Sequence, residues 1–381
     1  MRIWFFACLI VSLRSEMAGI YVHIPFCKSR CIYCGFYSTT RTELRQQYVD
    51  ALCKEIGMRK DNALVETVYL GGGTPSQLSI RQLRQVFETI YKYNKVSEAA
   101  EVTIECNPDD VTEAFAEGIS QLPVNRVSMG VQTFNDERLH FLRRRHTSAQ
   151  VSAAVDRLRG AGIDNLSIDL MYGFPEETQK DWEADIRQAC SLQVEHISSY
   201  CLTIEEGTPL ARLGMEPCDE ETERTMYDTL IDRLEAAGYE HYEISNFAKP
   251  GYRSRHNSSY WTGIPYIGFG AAAHSFDGNR RSWNISDIRQ YMDGLQLGQR
   301  QFEEELLDED TSYNDTVTVA LRTREGLNLS RLSEVHRQYC LRNAKRFIDD
   351  NLLIFDGERL HLTRRGLFVS DMIMSELMMV D

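Results

Sequence analysis

Three cysteines, Cys27, Cys31 and Cys34, stand at the spacing C-x3-C-x2-C inside "YVHIPFCKSRCIYCGFYS". Structural zinc takes four ligands, usually two C-x2-C pairs set well apart. Here one short loop holds three thiols without a nearby fourth, and His23 falls inside an apparent strand. Thiolates also hold iron–sulfur clusters, normally four to a cubane. Three thiolates on a [4Fe–4S] cubane leave one iron open to an outside ligand. Such an iron can chelate the amino and carboxylate groups of S-adenosylmethionine and pass an electron into its sulfonium. The spacing therefore marks Cys27, Cys31 and Cys34 as cluster ligands, with zinc as the lesser alternative.

The elements that position this loop read as alternating strands and helices. Short β-rich runs recur at 19–24, 67–73, 101–106, 126–132, 165–173 and 196–204. Amphipathic stretches such as "SIRQLRQVFETIYKY" and "TSAQVSAAVDRLRGAG" lie between them. Repeated βαβ units of this kind predict an α/β fold, a partial (β/α)6 barrel, with an open doubly wound sheet as the alternative. Gly71 to Thr74, Glu105, Gln132 and Asp169 fall at the predicted strand ends, where parallel α/β folds carry their chemistry. Residues 241–300 are rich in Gly, aromatic and His residues and read as loops packed by aromatic side chains. Residues 301–381 read as helices plus a hairpin turning at Asp356-Gly357, a small winged-helix-like C-terminal domain. The core is expected over 17–240, and residues 1–16 as an upstream extension, with Met17 as an alternative start.

Composition narrows the class. The chain has 381 residues, 43% hydrophobic and 26% charged, enough for one large domain and a smaller one. A net charge of −14 argues against a general nucleic-acid binder. Arg143, Arg144, Arg145 and His146 form a basic run, either a local anion pocket or a solvated helix face. Ten cysteines without a pairing pattern beyond the cluster loop suggest reduced thiols and a cytoplasmic protein. The apolar run near the N-terminus is too short to span a membrane and has no small-residue cleavage site.

The cysteine loop after a first barrel strand resembles the radical S-adenosylmethionine superfamily. "YVHIPFC", "GGGTPS", "TIECNPD", "SMGVQTF", "SIDLMYGFP" and "LRTREGLNL" together resemble its coproporphyrinogen oxidase-like branch of oxygen-independent type. That resemblance implies that Tyr21, Gly72, Gly73, Thr74, Glu105, Gln132, Arg144 and Asp169 line the S-adenosylmethionine pocket. Glycines let the backbone approach a ligand closely, and Arg144 offers a charge-assisted partner to a carboxylate. Two features depart from the decarboxylating oxidases. Phe36 stands where they carry a further cysteine, and little chain precedes Tyr21 to form their N-terminal arm. "HNSSYW" at 256–261 resembles instead the signature of the haem-chaperone family of this branch.

The resemblance implies haem contact through His256, Tyr260 and Trp261, with His274 as a second candidate ligand and Arg253 and Arg255 near enough to meet propionates. Without the motif, a lone histidine among aromatic residues reads as structural. The implied partners are haem or a porphyrin, haem-acceptor proteins such as respiratory haem enzymes, and an electron donor, with peripheral membrane association and no nucleic acid. The alternative function is an oxygen-independent coproporphyrinogen III oxidase, which decarboxylates propionates through an adenosyl radical.

Overall fold

The computed structural model describes residues 19–60 and 62–380; the expected extension over 1–16 lies outside them. Six parallel strands follow the chain: β1 (Gly19–Ile24), β2 (Leu64–Gly72), β3 (Lys95–Cys106), β4 (Arg126–Gln132), β5 (Asn165–Tyr172) and β6 (His196–Cys201). A helix follows each, so every crossover packs back on one face. The helices start where the sequence signals them. In Ile80–Tyr93, the Ser79 N–H donates to Gln82 Oε1 at 3.0 Å and the Gln82 N–H to Ser79 Oγ at 3.3 Å, a reciprocal cap. That helix buries Leu83, Val86, Phe87 and Ile90, one stripe at helical spacing.

The sheet continues past β6. Its order is β12-β11-β10-β9-β1-β2-β3-β4-β5-β6-β8-β7, with β7 (Glu240–Glu243), β8 (Asn246–Ala248), β9 (Tyr266–Phe269), β10 (His274–Phe276), β11 (Arg280–Asn284) and β12 (Phe302–Leu306). The order runs open from β12 to β7, so hydrogen bonds do not close the six strands into a ring. Residues 241–300, read from sequence as loops, thus supply strands. β9 lies parallel to β1, pairing Gly19 with Tyr266 and Val22 with Phe269. The glycines that suggested loops permit this closeness: a Cβ on Gly270 (φ +103°) would stand 2.6 Å from the His23 carbonyl oxygen.

Along β1 the side chains alternate. Ile20, Val22 and Ile24 are fully buried toward the helices, so Tyr21 and His23 point to the opposite, concave face. The same period of two turns Glu101, Thr103 and Glu105 of β3, and Ser167 and Asp169 of β5, to that face. Its two ends form different sites.

The last unit has its own core of Tyr313, Val317, Leu321, Cys340, Phe347, Leu353 and Ile373. Helices Glu309–Leu321, Glu334–Asp349 and Ser370–Leu377 pack on a three-stranded sheet of β13 (Leu327–Asn328), β15 (Arg359–Leu362) and β14 (Leu353–Phe355). The hairpin turns where expected, with Gly357 at φ +103°. Arg364 ties this unit to Asp228 and Asp232 on the helix after β6. Among the described residues no helix is long and apolar enough to cross a membrane.

Candidate functional site

The cysteine loop leaves the C-terminal end of β1 and is anchored at both ends of the turn. The Cys27 N–H donates to the Thr39 carbonyl (2.9 Å) and the Thr39 N–H to the Pro25 carbonyl (2.7 Å). Cys27, Cys31 and Cys34 are half-buried and free. Burial pushes the Cys27 and Cys34 thiols up from their ordinary range. Four loops meet here through one chain of hydrogen bonds. Thr74 Oγ1 donates to Cys27 Sγ (3.6 Å), and Asn107 Nδ2 to Thr74 Oγ1 (3.5 Å). Arg144 Nη2 donates to Asn107 Oδ1 (2.8 Å) and Nη1 to Cys31 Sγ (3.5 Å). Asn107 sits inside a motif quoted from the sequence, yet its linking role shows only in the fold.

Arg144 is held further by the Gly130 carbonyl, while its buried Nε has no hydrogen-bond partner. A Cβ on Gly130 would meet Gln132 Nε2 at 2.9 Å and Arg144 Nη2 at 3.0 Å, so both side chains cross this glycine. A bulge between Gly130 and Gln132, with Gln132 at φ +72°, redirects the strand end. Glu105 accepts from Tyr69 Oη (2.7 Å) and the Gly72 N–H (3.1 Å), and burial pushes its carboxyl up to about 7. Burial likewise raises Asp169 to about 6, against a hydrogen bond from Ser198 and the charge of Arg144. Tyr21 stacks near Tyr69, their rings 6.3 Å apart.

Tyr21, Gly72, Thr74, Glu105, Gln132, Arg144 and Asp169 therefore share the upper half of the concave face. The glycines have another reason to be there than a ligand. A Cβ on Gly72 (φ +108°) would stand 2.5 Å from the His23 ring, and one on Gly73 would stand 2.7 Å from the Pro25 carbonyl carbon. Both let the β2 loop pack on the cysteine loop. His23 itself is neutral, its imidazole pushed down to about 4 by burial. Its Nε2–H donates to the Tyr37 carbonyl (3.0 Å), which leaves Nδ1 to accept from Tyr21 Oη (3.0 Å). Neither nitrogen is open to zinc.

The donor set suits a cubane. Among the described residues no three or more His, Cys, Asp or Glu side chains are placed to hold a single metal ion. A cubane bonds each thiolate at a different corner, so its thiolates need not converge. Beside Cys31 and Cys34 lies a cavity of about 480 Å³. The basic run 143–146 is neither a helix face nor one pocket. Arg144 turns to Cys31, Arg145 pairs with Asp109 (2.7 Å) and Asp110 (3.0 Å), and His146 is buried against the Val131 carbonyl.

His256 lies at the other end of the concave face. Its helix, Arg255–Trp261, sets the ring beneath Gly19 and Thr67 at the N-terminal ends of β1 and β2. Nδ1 bonds Thr67 Oγ1 (2.8 Å), Nε2 bonds Tyr260 Oη (2.8 Å), and the backbone N–H donates to Glu101 (3.0 Å). Burial pushes the imidazole down to about 3, and the ring stacks on Tyr69 at 5.0 Å. Both ring nitrogens of the expected iron ligand are thus hydrogen-bonded in this structure. Tyr260 is committed to His256, and Arg322 lies over the Trp261 ring at 5.0 Å. Arg253 pairs with Glu240 and Glu325, and Arg255 with Glu66, so neither is free for a propionate. His274 is exposed and stacks on Trp283.

Known proteins match this arrangement. The model of the Radical SAM superfamily matches residues 21–189, and that of the HemN C-terminal domain residues 307–369. The fold follows coproporphyrinogen III oxidase (HemN) from Escherichia coli with a TM-score of 0.83 over 96% of this chain and 91% of that one, at 22% identity. The fold and cysteine loop are thus those of a radical SAM protein. The "Heme chaperone HemW" of Lactococcus lactis subsp. lactis is 31% identical over 95% of this chain and 97% of its own length. That of Mycobacterium tuberculosis is 33% identical over 97% of each, and that of Bacillus subtilis 37% identical over 73% and 76%. The chain belongs to the HemW family.

Proposed function

We propose that the protein is a cytoplasmic haem chaperone that binds a [4Fe–4S] cluster, S-adenosylmethionine and haem, and passes haem to acceptor proteins. The observation that carries this is the end-to-end match to relatives named heme chaperones, 97% of whose length is covered in two cases. Cys27, Cys31 and Cys34 would hold the cubane. Once bound, it supplies an open iron and an electron for the sulfonium of S-adenosylmethionine. Arg144 and Thr74 orient the thiols and set positive charge and a donor beside them. Tyr21, Glu105, Gln132 and Asp169 would line the S-adenosylmethionine pocket, with Glu105 able to hold a proton near neutral pH. In this division residues 17–240 carry cluster and S-adenosylmethionine, 241–300 complete the sheet and 301–381 form the appended unit.

One feature of the chain supports the chaperone over the oxidase. Phe36 occupies the position of the oxidases' further cysteine and is 72% exposed. The test is anaerobic reconstitution followed by two incubations. Haem should bind in roughly equal amount to protein, and coproporphyrinogen III with S-adenosylmethionine and a reductant should yield no protoporphyrinogen. Haem binding no greater than that of an unrelated control would overturn the proposal.

A further inference from the structure

Outside the cysteine loop, two thiols converge on one glycine. A Cβ on Gly173 (φ +78°), just past the end of β5, would stand 2.9 Å from Cys201 Sγ and 3.2 Å from Cys218 Sγ. Both sulfurs therefore border the space that the missing side chain leaves. Both cysteines are half-buried and free. They stand at opposite ends of one loop: Cys201 closes β6, and Cys218 lies just before the helix Glu220–Ala236. The loop between them, 202–217, reaches the cluster cysteines. The Leu210 N–H donates to the Ile32 carbonyl (2.9 Å), and a Cβ on Gly35 would collide with the Glu205 carboxylate. Leu202 and Leu210 join Ile32, Leu142, Met171 and Phe174 in a small core of their own. Glu206, Gly207, Thr208, Pro209 and Arg212 of the same loop line the cavity together with Cys31 and Cys34. What holds the base of this loop therefore bears on the cluster cysteines.

We propose that Cys201 and Cys218 are a redox pair whose disulfide closes the loop 202–217 at its base and fixes the wall of the cavity beside Cys31 and Cys34. The two thiols lose two protons and two electrons as the S–S bond forms. A small disulfide such as oxidised glutathione accepts them. One protein thiolate attacks it and expels a glutathione thiolate; the other attacks the resulting mixed disulfide and expels the second, and each released thiolate takes up one proton. The surroundings set the rates. Burial pushes both thiols up, and the charge of Glu223 beside them adds to the shift. Such thiols are seldom ionised and are poor leaving groups, so the bridge forms slowly and, once formed, is reduced slowly. The pair therefore answers sustained oxidation rather than brief exposure. The bridge itself is independent of the haem-chaperone reading, whereas its effect on a cluster rests on Cys27, Cys31 and Cys34 holding one.

The competing account is that two small side chains only fill space beside a glycine. Cluster-loaded full-length protein is held anaerobically with oxidised or with reduced glutathione until its thiol count is constant. It is then alkylated under denaturing conditions and digested with trypsin without reduction. Cys190 shares the tryptic peptide of Cys201, so the mapping is made in Cys190→Ala protein. The oxidised sample should yield peptides 188–212 and 213–224 joined by a disulfide, and the reduced sample should yield them separate. Before digestion, the bridged protein should release cluster iron to a chelator at least about threefold more slowly than the reduced one. Cys201→Ser and Cys218→Ser should each abolish both the linked peptide and the slowing. Two free thiols, or glutathione attached to either cysteine without the linked peptide, would overturn the pair. A linked peptide with unchanged iron release would overturn its hold on the cavity wall. Reduced, reconstituted protein without iron would instead overturn the cluster reading, while the mapping still decides the pair.

Discussion

The two ends of the concave face are built from the same strands and differ in how their polar groups are satisfied. At the N-terminal end, His256, Thr67, Glu101 and Tyr260 bond one another and both ring nitrogens are used. At the C-terminal end, three thiols are free, Arg144 Nε is buried without a partner, two carboxyls are raised by burial and three arginines stand unpaired around a cavity. Buried polar groups cost stability unless they are bonded. The upper end gathers thiols, raised carboxyls and a guanidinium nitrogen without a partner, whereas the histidine end, apart from the unpartnered Trp261 Nε1, is a closed set of hydrogen bonds, which separates a binding surface from its foundation.

The comparison is broken most forcefully at the cysteines. Cys31→Ala should lower iron and acid-labile sulfide from about four per chain to background after reconstitution, since three thiolates leave no spare ligand. Cys53→Ala should keep both. Full iron and sulfide in Cys31→Ala would return the loop to some other role.

At the opposite end the effect should fall on stability. His256→Ala removes a buried ring and the partner of Tyr260 Oη, costing about 2–4 kcal/mol in denaturant unfolding. Thr67→Val, which leaves the His256 Nδ1 unbonded, should cost about 1–3 kcal/mol. A folded His256→Ala protein of wild-type stability would remove the foundation from the account.

A smaller effect sharpens the contrast through pH. Glu105 is raised from 4.5 to about 7, so the folded state holds this proton more tightly than the unfolded one. Its contribution is complete below about pH 4.5 and is lost as pH rises to about 7; Asp169, raised from 3.8 to about 6, acts in the same direction. His23 and His256, pushed down to about 4 and 3, act oppositely, losing stability as pH falls below 6.5. The informative quantity is therefore the difference between wild type and Glu105→Gln. The wild type should lose about 1–3 kcal/mol relative to the variant between pH 4.5 and 7.5, measured by denaturant unfolding. A difference that does not change with pH would mean that Glu105 is not buried as described.

Much of the upper end was legible because it is local. The cysteine spacing, the glycines of 71–73 and the strand-end acids Glu105 and Asp169 lie in short motifs, and capping boxes mark the helices that carry them. Reading those glycines as ligand-facing missed that His23 and Pro25 occupy the space above them, which depends on pairing between β1 and β2. The lower end was illegible for the same reason on a longer scale: Thr67 and His256 are 189 residues apart in sequence. Glycine and aromatic residues in 241–300 suggested loops, whereas β9 uses them to lie against β1. One signal was available and unused. Polar residues at every second position of the β-rich runs, as in Glu101, Thr103 and Glu105, mark a lined concave face rather than a sheet buried on both sides.

The claim that one end binds and the other supports is tested most directly by measuring stability and cluster iron together in His256→Gln and in Cys31→Ala. The account predicts opposite outcomes: His256→Gln loses stability and keeps its iron and sulfide, while Cys31→Ala keeps its apo-protein stability and loses both. A His256→Gln protein of unchanged stability that loses its cluster iron would contradict it.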